Sequence, residues 1–401
     1  MNVLDVLDKL EEIEILFEPI YSADEHVLVA YQVNGQLIVE NKILYVTDIT
    51  YDESIPADIR MEFEHTIIEK ALNAAKGELN EVSLFLPCNP NLLMVDFGES
   101  YFQLLKSLVD ESLLPHIFLV IPEHKYTGDY EQLQHPIRYI KTYGVKIALD
   151  DIGFESKLDQ ILMFEPAVLK INVNQLNYNN WGAQNHVFTT IQSLAIKIGA
   201  SLMFNNIQTD YQLHQAWKNG ARYFKGVYLQ KPTNQFIPRD TLKEKFRNEC
   251  QHFITAEKKL LESKFEEMNK LQKSITTIVE HIQPSSQDVK NLMELAKKLE
   301  EYAFRFYICN EEGFQTSPNI VYKNGTWNAQ DNAIGKNWSW RPYFLFNIMK
   351  MRNDEKGQLS AQYSDIETGE LTRTYSMAIS NKEFLFVDIK YDYLFEHNII
   401  N

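Results

Sequence analysis

Two adjacent carboxylates, Asp150 and Asp151, close the apolar run Val145–Leu149. Paired acids at a strand end suit hard divalent cations, which need several oxygen ligands. Lys170 and Lys225 lie in or just after similar runs. Their ammonium groups suit ion pairing with those acids, or direct contact with a phosphate. The sequence favours pairing and helix capping for Asp150 and Asp151. His65, His124 and His186 show no ligand spacing and read as satisfied surface or core histidines. Late in the chain stands Trp338-Ser339-Trp340-Arg341-Pro342-Tyr343-Phe344, followed by Asp365 and Asp388. An Arg clamps a carboxylate and an Asp balances an ammonium, so these residues are a second candidate pocket. The plainer expectation for them is core tryptophans and an Arg341 pair with Asp365 or Asp388.

The elements that must hold these groups alternate. Leu28–Val33, Val82–Leu86, Ile117–Ile121, Val145–Leu149, Val168–Val173, Ser201–Phe204 and Arg222–Phe224 read as short strands, several apolar on both faces. Helical stretches lie between them: Arg60–Lys76, Gly98–Glu111, Asp129–Tyr143, His186–Ile198 and Thr209–Asn219. Several end at a glycine suited to a helix C-cap, such as Gly144 and Gly220. Repeated strand–helix units predict an α/β domain with a parallel sheet, closed as a (β/α) barrel. This domain is expected over residues 1–238.

Residues 239–283 change character. They are charge-rich and carry apolar residues at helical spacing, predicting one long connecting helix over Asp240–Ile282. After Pro284-Ser285-Ser286 comes a second helix, Gln287–Tyr302. Strand patterns then dominate, interrupted by a helix over Trp340–Met351. Residues 284–401 are therefore expected to form a small α+β domain.

Composition bounds the function. With 39 basic against 55 acidic side chains, the net charge of -16 argues against polymeric nucleic acid as a partner. Cys88, Cys250 and Cys309 are far apart, which excludes a disulfide scaffold and a cysteine zinc site and fits a reducing compartment. No uncharged apolar run nears the roughly 20 residues of a membrane span. The acidic start MNVLDVLDKLEEIEI does not resemble a signal peptide. A cytoplasmic protein is expected.

Six motifs in order resemble the EAL-domain family, the cyclic di-GMP phosphodiesterases, over about residues 15–235. Phe17-Glu18-Pro19-Ile20-Tyr21 is similar to the opening Y-Q-P-I, and Tyr31–Gln36 falls where E-x-L-x-R belongs. Lys146–Gly153 matches A-L-D-D-F-G, and Leu169–Asn172 matches K-I-D. Phe204–Thr209 lies at A-E-G-V-E-T, and Lys225-Gly226-Val227-Tyr228 fits the closing Q-G-Y. The remainder resembles a Gram-positive, Bacillus-type subgroup in which such a barrel carries a PAS-like or Cache-like C-terminal domain. The resemblance implies an EAL-type TIM-like barrel.

The family's chemistry is two-metal hydrolysis of a phosphodiester. Residue by residue, the resemblance implies that most of its ligands are gone. Gln32 replaces a metal-binding Glu and Gln36 the phosphate-binding Arg. Pro87 stands at a metal-binding Asn, with Asn89 the substitute if the loop slips. Val120 replaces a Glu, Asn172 an Asp, Asn205 and Gln208 two Glu, and Lys225 the closing Gln. Asp150, Asp151 and Lys170 remain. Two Asp and two Lys leave a mouth of formal charge near zero, a poor seat for two dications. A degenerate, non-catalytic domain with no cofactor is expected, acting as scaffold or effector, with Gln36, Lys170 and Lys225 as nucleotide contacts. Two alternatives stand beside it. One is an active phosphodiesterase using Asp150, Asp151, Glu123 and Asn89 with Mg, Mn or Ca, making pGpG. The other is a small-molecule sensor working through Trp338, Trp340, Arg341, Tyr343 and Asp365. A homodimer, cyclic di-GMP and protein partners are the expected associations, with no membrane.

Overall fold

In the computed structural model the chain divides into two compact units, Met1–Phe253 and Ile254–Asn401. The structure describes residues 9–39, 42–175, 183–341, 344–354 and 356–400, with 183–186 as backbone alone. The first unit contains β1 (Glu14–Ser22), β2 (Leu28–Val39), β3 (Lys42–Tyr45), β4 (Ser83–Pro87), β5 (Ile117–Pro122), β6 (Lys146–Asp150), β7 (Val168–Asn172), β8 (Ser201–Asn205) and β9 (Ala221–Phe224). β2 pairs in parallel with β4, and each strand from β4 to β9 pairs in parallel with the next. β1 closes the ring against both β9 and β2. The result is an eight-stranded barrel, with β3 added beside β2.

The strand β1 is absent from the strands read in the sequence, and it departs from the parallel sheet by running antiparallel to both neighbours. Only residues 23–27 separate β1 from β2. A parallel crossover needs about a dozen residues, so this short link forces a hairpin. β2 is also longer than its apolar run predicts, because β1 and then β3 pair along its polar half. Side chains alternate along a strand, so Gln32, Asn34 and Gln36 share a face with Ala30.

That face is the barrel interior. Ile20, Ala30, Phe85, Phe118, Ala148, Val168 and Met203 belong to its packed floor, with Phe85 and Phe118 stacked at 4.2 Å. Two residues further along, polar groups replace apolar ones: Gln32 after Ala30, Asp150 after Ala148, Lys170 after Val168, Asn205 after Met203. The helices pack outside, burying a second core between themselves and the sheet.

The second unit holds an antiparallel sheet made of β10 (Ala303–Asn310), β11 (Asn319–Lys323), β12 (Thr326–Gln330), β13 (Gln358–Leu359), β16 (Thr374–Ala378) and β17 (Glu383–Ile389). Its order is β12-β11-β10-β17-β16-β13. A small hairpin of β14 (Tyr363–Ser364) and β15 (Leu371–Thr372) accompanies it. One sheet face packs Phe306, Leu385 and Val387 with Leu271, Ile275, Leu292 and Leu295. The other packs Tyr307, Phe384 and Phe386 with Phe344, Ile348 and Met351 of the helix Phe344–Asp354. That helix starts later than Trp340, as expected of a chain that disfavours helix just before Pro342.

The long helix spans Lys243–Ile282, 40 residues or about 60 Å. Phe246, Cys250 and Phe253 join the core of the first unit. Leu271, Ile275 and Val279 join that of the second. Among the described residues, no helix is long and apolar enough to cross a membrane.

Candidate functional site

The polar rows meet at the mouth of the barrel, where the parallel strands end. Lys170 is fully buried on β7 and donates to Asp150 at the end of β6. Lys225, just after β9, donates to Glu18 on β1. Glu18 also accepts from the Asn34 amide on β2. The two pairs sense one another. Burial lowers the Lys170 pKa most, Asp150 opposes that, and Lys225 lowers it further. Glycine fixes the position of Lys225. A Cβ at Gly226 would strike the backbone of Ile207, while Lys225 N–H donates to Phe204 O at 3.0 Å.

Asp150 is surrounded by donors. One carboxylate oxygen takes Lys170. The other accepts Asp151 N–H at 2.9 Å and faces the Asn205 amide nitrogen at 3.4 Å. Asp151 takes a left-handed backbone, φ 59°, which Asp tolerates better than most residues. Its pKa is raised, first by burial and then by Asp150. His124 contacts the Asp151 carbonyl at 3.2 Å.

Beside Asp150 opens a cleft of about 410 Å³. Gln32, Tyr51, Glu64, Pro87, Val120 and Asp150 contribute to its wall. Glu64 is not visible as a site residue in the sequence. It sits within the helix Ala57–Ala74, and nothing in that pattern marks it. It is 1% exposed, and both its oxygens lie within reach of Asn89 N–H, at 2.9 and 3.1 Å. Burial pushes its pKa up to about 8, despite the Asn89 bond. At neutral pH it is therefore mostly a neutral acid.

Glu18 escapes the sequence reading for a different reason, and its signal is present there. The opening and closing glutamines of the motif series have become Glu18 and Lys225. The structure joins these opposite charges. With Glu64, the site thus holds two carboxylates that the sequence does not suggest, and Glu18 is already paired.

The other expected residues scatter. Gln36 donates to Glu14 at 3.0 Å along the β1–β2 hairpin. Asn172 accepts Asn174 N–H at 3.0 Å, a local cap. Gln208 is exposed and donates its backbone N–H to Gln212 at 2.7 Å. Asn89 is fully buried; its side chain accepts Asn91 N–H at 2.9 Å and donates to Thr50 O at 2.7 Å. Glu123 accepts from Ser156 Oγ and, at 2.7 Å, from Lys157 N–H. Asn89 and Glu123 are thus engaged in loop structure, against the alternative that enlists them as ligands. His65 packs edge-on to Tyr101 at 4.9 Å. The side chain of His186 lies outside the described residues.

These residues do not fit a pair of divalent ions. Asp150 and Glu18 each carry an ammonium. Among the described residues, no three His, Cys, Asp or Glu side chains are grouped to share an ion. Two neutral oxygens stand out: Gln32 Oε1 and Asn205 Oδ1 are buried and, among the described residues, accept no hydrogen bond. Such acceptors suit a water, a ligand donor or one cation.

In the second unit, the expected Arg341 pairing is corrected. Asp365 and Asp388 both bind Arg305, which nothing in the strand pattern of β10 marks. Arg341 lies over the Trp338 ring at 4.6 Å and the Trp340 ring at 5.9 Å. Trp338 packs against the core, as expected, but Trp340 is 64% exposed and is not a core residue. Tyr343 lies outside the described residues.

Comparison with known proteins agrees with this architecture. A model of the EAL domain matches residues 4–232, and a model of an EAL-domain associated signalling protein domain matches residues 236–400. The EAL-domain containing protein YkuI of Bacillus subtilis is 39% identical over 99% of each chain. Its crystal structure, in complex with substrate c-di-GMP and calcium, covers 100% of both chains at a TM-score of 0.93. An EAL domain protein of Listeria monocytogenes covers 58% of this chain and 94% of its own, at 15% identity and a TM-score of 0.50. That last likeness shows the fold alone.

Proposed function

The chain belongs to the EAL-domain family, and we propose that it is a cyclic di-GMP signalling protein whose barrel binds without cutting. In this reading the barrel is an effector or scaffold, and cleavage to pGpG does not occur. One observation carries it: Lys170 and Lys225 occupy the carboxylates of Asp150 and Glu18. Two dications would find Asp150 already paired with Lys170 and would otherwise rely largely on amide oxygens. Unpaired charge in such a site costs several kcal/mol per ion.

A second reading keeps the binding role and adds one cation. It is favoured by the orphaned oxygens of Gln32 and Asn205, and by the calcium present with c-di-GMP in the YkuI complex. Calorimetric titration of cyclic di-GMP with and without Mg²⁺, Mn²⁺ or Ca²⁺ separates the two. Binding unchanged by chelator supports the metal-free effector, and binding only with metal supports the second reading. No binding under either condition leaves a scaffold that works through protein contacts. A cytoplasmic homodimer belongs to the same proposal, checked by light scattering and fractionation.

A further inference from the structure

Phe253 of the long helix is buried in the first unit and Leu271 in the second. Between them the helix turns apolar side chains to solvent. Ile254 is 45% exposed, Leu261 49% and Phe265 58%, while Met268 is half-buried. With 3.6 residues per turn, these four fall within about 60° of one another on the helix circumference and form a stripe about 21 Å long. A helix surface that stays in water carries polar groups instead. A continuous exposed apolar stripe marks a contact surface.

The charges beside the stripe identify what covers it. Lys258 and Glu262 border one side, and Glu257 and Lys264 the other. On each side the acid and the base stand at nearly equal distances from Leu261. A second copy of the helix, turned end for end about a two-fold axis near Leu261, therefore meets opposite charges on both sides. Lys258 faces the partner's Glu262, and Glu257 faces the partner's Lys264. The stripe matches as well, because Leu261 meets its own copy and Ile254 lies opposite the partner's Met268. A parallel pair in register does the reverse. It sets Glu257 near the partner's Glu262 and Lys258 near the partner's Lys258, placing like charges together. Lys258 and Glu262 already attract within one helix, at 3.8 Å, and both remain largely exposed. The antiparallel crossing extends that ion pair without breaking it.

We propose that residues 254–268 pack antiparallel against the same residues of a second copy of the chain. This names a surface for the homodimer of the proposed function and rests on that reading.

The test is disulfide cross-linking of the full-length protein under a mild oxidant, read on non-reducing gels. Cys88, Cys250 and Cys309 are buried, so an introduced surface thiol reports alone. Leu261→Cys is expected to form a linked dimer at least tenfold faster than Ser263→Cys, which lies on the opposite face of the helix. Ile254→Cys and Met268→Cys are each expected to stay unlinked, whereas the double variant Ile254→Cys with Met268→Cys links. Efficient linking by Ile254→Cys alone, as a parallel pair requires, overturns the proposal. So does equal linking by Leu261→Cys and Ser263→Cys. Light scattering separates this failure from that of the homodimer itself. A dimer that Leu261→Cys does not link overturns the surface alone, and a monomer overturns both.

Discussion

Lys170 and Asp150 stand on adjacent parallel strands, and the buried ammonium of the first is bonded to the carboxylate of the second. The Lys170 ammonium thus neutralises one of the two aspartates retained at the barrel mouth. Lys225 and Glu18 repeat the arrangement further round the ring. The barrel keeps its polar mouth but satisfies most of it internally.

The Lys170–Asp150 pair should behave as a buried ion pair. Lys170→Met leaves Asp150 without its partner and is expected to cost about 3 kcal/mol. Asp150→Asn leaves an uncompensated ammonium and should also destabilise. The double variant Lys170→Met with Asp150→Asn is expected to recover most of the loss. Urea denaturation of the four proteins closes the cycle. Strict additivity of the two single losses would show that the pair does not act as a unit.

Glu64 predicts a pH dependence. Its folded pKa of about 8 lies above the ordinary value of 4.5 because burial disfavours the charged form. The favourable contribution is fully present below about pH 4.5 and is lost as pH rises through about 8. Glu64→Gln carries no such proton. Its melting temperature relative to the parent should therefore climb as pH is raised across that window. A constant difference over the same range contradicts the burial argument.

Restoring charge should restore metal affinity. Gln32 and Asn205 already place unpartnered oxygens in the mouth. Gln32→Glu combined with Asn205→Glu gives that region two carboxylates beyond those the lysines already hold. Mn²⁺ is expected to raise the melting temperature of this variant by several degrees more than that of the parent. Equal responses would mean that charge at these positions is not what limits metal binding.

Gly226 should resist even the smallest side chain. A Cβ there meets the Ile207 backbone, which cannot yield as a flexible side chain can. Gly226→Ala is expected to cost about 2 kcal/mol or more, measured by urea denaturation. A neutral effect would show that the Lys225 turn is looser than described.

Much of the barrel is legible in the sequence because its strands are apolar on both faces and its helices are punctuated by glycine. What escapes has physical causes. The antiparallel β1 follows from the shortness of the 23–27 link, which an apolar pattern does not report. Glu64 is invisible to periodicity because a buried acid in a helix looks like any surface glutamate until the fold covers it. Arg305 likewise sits among the alternating residues of β10 as a solvent-facing residue would, yet it is buried among three carboxylates. The Lys170–Asp150 pair is within reach of sequence reasoning, since Asp150 ends one strand pattern and Lys170 lies within the next. The partner of Lys225 is not, because Glu18 lies 207 residues away and is brought near by barrel closure.

The most direct measurement of the central claim is incubation of the pure full-length protein with cyclic di-GMP and Mg²⁺ or Mn²⁺, resolving the products by chromatography. An internally neutralised mouth predicts intact cyclic dinucleotide and no pGpG above a protein-free control, at any metal concentration that leaves the protein folded. Metal-dependent accumulation of pGpG, abolished by Asp150→Asn, would contradict it.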